Sequence, residues 1–294
     1  MSNIVKNYFK ILEVISSLNI VLNTENRAGR RLKISDLGIV ALSLTSEYMS
    51  IDSENSLFNQ LQNGQITNLI ERRQYHKRRK KLFYFSEEIR QHLYSKFTKF
   101  EDYFVVDSMP LDICKRARHT RIKICKDDFQ TSPDKGFCAA QNTWFYGYKL
   151  HRVCAVSGVF QSIDITKASV HDVHLLKDLK YQMSDCVLLG DRGYLSSTLQ
   201  LDLFETANIK LETPMRTNQI GYKKQPYIFR KSRKRIETLF SQLCDQFMIR
   251  RNYAKSFQGF KTRILAKITA LTLVQFINKF IFERLINNIK TQII

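Results

Sequence analysis

Two aspartates and one glutamate have the settings of metal-holding acids. Asp107 closes the apolar, β-branched run Tyr103-Phe-Val-Val, and Asp191 follows Cys186-Val-Leu-Leu-Gly190. Such runs predict buried strands. A charged residue just past one projects at the rim of a sheet, where open α/β sheets place their ligands. Glu237 stands in FRKSRKRIETLFSQL, where Ile236, Leu239, Phe240, Leu243 and Phe247 predict a helix packed along one stripe. At about 100° per residue, Glu237 falls on the flank of that stripe, and Arg233, four residues earlier, shares it. A lone aspartate at a strand end more often caps a turn than binds a ligand. The conjunction of three such acids with an arginine-rich helix and a strongly basic chain points instead to phosphodiester chemistry. That chemistry needs an activated water or 3′-hydroxyl and a stabilised leaving oxyanion. Two Mg²⁺ ions roughly 4 Å apart supply both, and hard cations take oxygen ligands. The expected cofactor is therefore Mg²⁺ or Mn²⁺, two ions per site, on Asp107, Asp191 and Glu237. No phosphate-cradling GxxxxGK[ST] occurs, so ATP is not expected.

Asp172 and Glu212 are the reserves for Asp191 and Glu237. Asp172 follows His171 at a predicted helix start and reads first as a cap. His151, in YKLH, reads as a strand histidine, with a contact to DNA or to the acids as its alternative. Cys114, His119, Cys125 and Cys138 lie near one another in sequence, but their spacing matches no established zinc pattern.

The elements that must position these residues come in two textures. Residues 1–100 predict helices: Val5, Tyr8, Leu12 and Ile15 recur at helical spacing, as do Leu37, Val40, Ala41 and Leu44 after the cap Ser35-Asp36. A short helix is expected over 53–62 and another over 86–100. From about residue 101 the order becomes β, ββ, α, β, α, β. Strands are expected at 103–107, 146–156, 159–166, 186–190 and 209–213, with a hairpin at Ser157-Gly158, and helices at 171–181 and 199–207. A helical tail begins near 225. The expected division is thus a helical, helix-turn-helix-like DNA-binding region at 1–100 and a mixed α/β catalytic domain with a helical tail at 101–294.

Charge names the partner. The 294 residues hold 47 Lys and Arg against 27 Asp and Glu, a formal net charge of +20. Such an excess favours a polyanion, nucleic acid first and an anionic membrane surface second. No segment reaches the roughly 18 apolar residues of a membrane span. The most apolar stretch, Ile264 to Phe282, is interrupted by Lys267, Gln275, Asn278 and Lys279. The N-terminus has no apolar signal core, and the six scattered cysteines read as free thiols of a reducing cytoplasm. The basic charge clusters at Arg72, Arg73, Lys77, Arg78, Arg79, Lys80 and Lys81, a run expected to contact DNA phosphates. A second cluster, Arg230, Arg233, Lys234 and Arg235, lies beside Glu237 and is expected to guide the scissile strand.

The segments YFVVDSMPLDICK (103–115), GFCAAQNTWFYGYKLH (136–151), SVHDVHLL (169–176), LLGDRGY (188–194), RKRIETLFSQL (233–243) and KSFQGFKTRILAKITALTLVQFIN (255–278) resemble the DDE transposases of bacterial insertion sequences, in particular insertion-sequence family 982. The likeness runs over nearly the whole chain. It implies an RNase H-like catalytic domain with Asp107, Asp191 and Glu237 as its three acids. It also implies double-stranded DNA as partner, both the inverted repeats at element ends and the target, acted on by a dimer or higher assembly in the bacterial cytoplasm and nucleoid. The wider signature of the family has a Tyr three residues before the Arg and a basic residue seven after the Glu. Arg230 and Cys244 stand there in this chain. Two other readings are a nuclease of the same fold that does not join DNA, and a catalytically inactive DNA-binding relative.

Overall fold

The computed structural model describes residues 3–20, 32–61, 66, 68–97, 101–215, 218 and 222–294. Gln62 and residues 98–100, at the ends of two expected helices, lie outside these. The chain divides into two compact units. One comprises Met1–Phe97 and Gln242–Ile294, and the other Thr98–Ser241.

The first unit is helical. It contains α1 (Asn3–Ser16), α2 (Asp36–Tyr48), α3 (Glu54–Gln60), α4 (Arg72–Lys81) and α5 (Phe83–Ser95). Ser35 and Ser53 cap α2 and α3, each hydroxyl accepting from the backbone N–H three residues on. The final helix, α9 (Phe257–Phe280), packs against α2 and α5 and is buried on almost every side. This differs from the expected division, in which the tail accompanies the sheet. The reason is a buried charge cluster. Glu47 of α2, 1% exposed, accepts from Arg263 at 3.1 Å and from Lys267 at 2.7 Å, and Lys267 also donates to the Phe247 carbonyl. A buried cation is tolerated only where a counter-charge and acceptors meet it, and Glu47 supplies them. Gln275 donates to Asn287 and Asn278 to the Ile286 and Asn288 carbonyls, so with Lys267 these polar interruptions of the apolar tail are bonding groups of a core helix, while Lys279 is exposed. Among the described residues, no helix is long and apolar enough to cross a membrane.

The second unit is built on a mixed sheet of β1 (Tyr103–Cys114), β2 (Asp134–Cys138), β3 (Thr143–Ala155), β4 (Phe160–Lys167), β5 (Cys186–Leu189) and β6 (Ile209–Glu212). β3 pairs antiparallel with β1 along one edge, while β2 and β4 share the other edge end to end. β5 and β6 extend the sheet from β1 as parallel strands. Three antiparallel strands followed by two parallel ones make the RNase H-like sheet, with β2 added to it. The expected hairpin turns at Gly158, whose positive φ of 101° suits a residue without Cβ. The helix expected at 171–181 is shorter: a 3₁₀ turn at Asp172–Leu175 and then α6 (Leu176–Leu179). Leu175, Leu176 and Leu179 fill the core, after which the chain must turn to enter β5. α6 and α7 (Ser197–Ala207) cover the sheet face that carries Phe104, Val106, Val153, Leu188 and Ile209. The N-terminal part of α8 (Tyr227–Asp245) meets the opposite face through Phe229 and Phe240, against Tyr103 and Phe160.

Candidate active site

Asp107 lies within β1 rather than at its end, because the strand continues to Cys114 against β3. On its other side β1 has a partner only as far as Val105, which pairs with Leu189, the last residue of β5. Asp107 is two residues past Val105, and Asp191 is two residues past Leu189. Both acids therefore emerge at one level of the rim where the parallel pairing stops, on strands spaced about 4.8 Å apart. The Asp191 carboxylate accepts from the Gly193 N–H at 2.8 Å and caps a 3₁₀ turn. A Cβ at Gly193 would come within 3.0 Å of that same oxygen, so glycine lets the turn close on the acid.

The electrostatics match the placement. Burial pushes the Asp107 carboxyl up to about 6, and the neighbouring charge of Asp191 adds to the rise. Arg152, the Ser108 N–H at 2.8 Å and Arg233 act in the opposite direction. Arg152 is Asp107's partner across β3, only 1% exposed, with its guanidinium 3.1 Å from the centroid of the Phe240 ring. Arg233 brings the flank of α8 to Asp107. Glu237 lies one turn further along that helix and is exposed. Among the described residues, no three Asp, Glu, His or Cys side chains stand close enough to enclose a metal ion.

The reserves take other places. Asp172 accepts from Ser108 Oγ at 3.1 Å and from Lys149 at 2.9 Å, while His171 rather than Asp172 caps the turn. Asp172 thus ties the residue next to Asp107 to the neighbouring strand. His151 is fully buried and bonded through Nε2 to Thr166 Oγ1 at 2.7 Å; burial lowers its pKa. It is a buried residue of β3. Glu212 ends β6 and pairs with Lys210 at 2.9 Å. Of Cys114, His119, Cys125 and Cys138, Cys125 is buried, and its thiol is pushed up to about 11, while the His119 ring lies against Tyr146.

The basic run proves to be two-sided. Arg79 is 7% exposed, paired with Glu54 at 2.9 Å and set against the Tyr75 ring. Arg78 bonds Asp36 at 2.5 Å and the Ile34 carbonyl at 3.0 Å. Arg72, Arg73, Lys77 and Lys81 face solvent. Lys77, Lys80 and Lys81, with Gln74 and Gln258, line a cleft of about 710 Å³. In α8, Arg230, Lys234 and Arg235 are exposed.

Arg152 carries no signal in the sequence, and Tyr194 enters it only as the last residue of LLGDRGY. Tyr194 is buried against Gly190, and its hydroxyl has no hydrogen-bond partner among the described residues. Burial first, then the charges of Asp172, Asp107 and Asp191, hold that phenol well above its usual pKa.

The family model described as "Transposase DDE domain" matches residues 98–273, more than half of the chain. The chain belongs to the DDE transposases. Its match spans the whole sheet unit and continues into α9. No curated protein matches it. One solved structure matched to this transposase is described as "Mos1 transposase paired-end complex with left transposon end". It is 14% identical, with 88% of this chain and 85% of that chain covered, at a TM-score of 0.23.

Proposed function

We propose that this DDE transposase, of the insertion-sequence family 982 type, binds the terminal inverted repeats of its element, cleaves a phosphodiester at each end and joins the freed 3′-hydroxyl to target DNA. The observation that carries the reading is the shared register of Asp107 and Asp191 at the rim beside β5. Two carboxylates side by side, one strained by burial, form an oxygen-rich site that a hard divalent cation suits. Asp107 and Asp191 would hold the cation, with Glu237 completing the set from α8. Bound Mg²⁺ supplies a Lewis acid and lowers the pKa of the attacking water or hydroxyl.

The remaining roles belong to the chain itself. Arg152 supplies a buried positive charge behind Asp107. The exposed cations of α8 flank the acids and offer phosphate contacts, and the solvent face of α4 offers more. Two ends must be handled together, so a dimer or larger assembly acts on DNA. Labelled element-end duplex incubated with the full chain, target DNA and Mg²⁺ tests the proposal. Cleaved ends and joined products are expected. Nicks without joining would assign a nuclease, and binding without either would assign an inactive relative.

A further inference from the structure

The face of β3 that carries Arg152 also carries Trp144 at the other end of the strand. Side chains alternate along a strand, so Trp144, Tyr146 and Tyr148 share the face of Arg152 and of its partner Asp107. Trp144 pairs across with Phe137, their rings 5.4 Å apart, and the two are 54% and 44% exposed. The segment between β1 and β2 crosses this same face. Arg116 lies 5.9 Å over the Trp144 ring and Lys126 lies 5.7 Å over the Tyr146 ring. From Lys115 to Lys126 the chain carries Lys115, Arg116, Arg118, Arg121, Lys123 and Lys126, with no acidic residue among them. All six are exposed.

Exposed ring faces among clustered cations suit a ligand that is itself a polyanion with flat π faces. Phosphates meet the guanidinium and ammonium groups, and an unpaired base stacks on the ring. A protein partner is less well matched, because charges are depleted at the centre of protein interfaces. We propose that Trp144, Phe137 and the basic segment 115–126 form a contact for single-stranded DNA, on the same sheet face as the acids. The proposal rests on the transposase reading and adds to it that the bound strand is unpaired several nucleotides from the reacting bond. Eight residues of β3 separate Trp144 from Arg152. At about 3.4 Å per residue, this is roughly 27 Å, or about eight nucleotides at the roughly 3.4 Å spacing of one duplex strand.

Trp144 is the only tryptophan of the chain, so its emission reports on this surface alone. The full chain, free of metal, is titrated with an oligothymidylate of about 12 nucleotides, within the range of single-strand site sizes. Binding is followed in parallel by anisotropy of a labelled copy. The expected result is saturable quenching of Trp144 that tracks the anisotropy, and weaker quenching by a blunt duplex of equal length. The variant R118Q/R121Q/K123Q should bind the oligonucleotide at least tenfold more weakly. Its log–log salt slope should fall by about 2, at about 0.7 per single-strand contact. Trp144→Leu should weaken binding at least fivefold. Oligonucleotide bound without quenching, or variants that bind as the parent does, would overturn the proposal. So would anionic phospholipid vesicles that quench where the oligonucleotide does not. Quenching retained alongside a failure to cut element ends would overturn the transposase reading and leave this contact standing.

Discussion

Asp107 and Asp191 each stand two residues beyond the last paired residues of two adjacent parallel strands, Val105 and Leu189. Sheet register brings together acids separated by 84 positions, and neither depends on a flexible loop for its height at the rim. The same register explains why burial and Asp191 both raise the pKa of Asp107. The cost is tolerated because Arg152 lies directly across β3.

Each of Asp107→Asn, Asp191→Asn and Glu237→Gln is expected to abolish Mg²⁺-dependent cutting and joining, since each removes a ligating charge and keeps the shape. Binding of element-end DNA should persist, because the basic surfaces are untouched. A cleavage gel alongside a mobility-shift assay checks both. Near-parental turnover in any one variant would remove that residue from the triad.

The raised Asp107 carboxyl has a signed consequence for pH. Its folded value of about 6 lies above the ordinary 3.8, so between these the folded state holds the extra proton. The associated stability is fully present below about pH 4 and is lost as pH rises through about 6. Replacing Asp107 with Asn should therefore stabilise the metal-free protein at pH 8, by up to about 3 kcal/mol at about 1.4 kcal/mol per tenfold change. At pH 4 it should change nothing. Urea midpoints at the two pH values test this, and a variant less stable than the parent at pH 8 contradicts it. Mg²⁺ affinity should rise over the same interval, because the cation competes with that proton.

Glu47 should be indispensable to the helical unit. Glu47→Gln leaves Arg263 and Lys267 buried without their counter-charge, which should cost about 3–5 kcal/mol. A fragment of residues 1–97 lacks α9 altogether. It should show little cooperative unfolding, whereas 1–97 joined by a flexible linker to 242–294 should unfold cooperatively. Circular dichroism during thermal unfolding distinguishes the two, and a sharp transition in the short fragment would refute the requirement.

The two sides of α4 should separate in their effects. Arg79→Gln breaks the Glu54 pair at a buried position and should lower the melting temperature. R73Q/K77Q/K81Q should leave melting nearly unchanged. It should weaken binding of duplex DNA and reduce the salt slope by up to about 2.7, at about 0.9 per contact. If it weakens element-end and random DNA equally, α4 positions the duplex without reading its sequence.

Local pattern was enough to find both aspartates, the strands leading to them, the β3–β4 hairpin and the helix bearing Glu237. Each announces itself within about ten residues, through β-branched runs, a turn glycine or a 3.6-residue stripe. β2 was invisible, because DKGFC has no strand alternation and becomes a strand only by pairing with the open edge of β3. The same limit applies to Arg79, Arg152, Lys267 and Tyr194, whose roles depend on what they face. A run of cations in sequence reads as one basic surface, yet Glu54 draws Arg79 inward while Lys77 stays in water. Lys267 reads as an interruption of an apolar helix until Glu47, 220 residues away in the chain, meets it. The sequence by itself therefore determined the candidate acids, the elements that carry them and the basic character of the chain, because those depend on side-chain type and local period. Only the tertiary structure decided which charges are neutralised inside, which unit the tail joins and which two acids share a rim, because these depend on distances between segments remote in sequence.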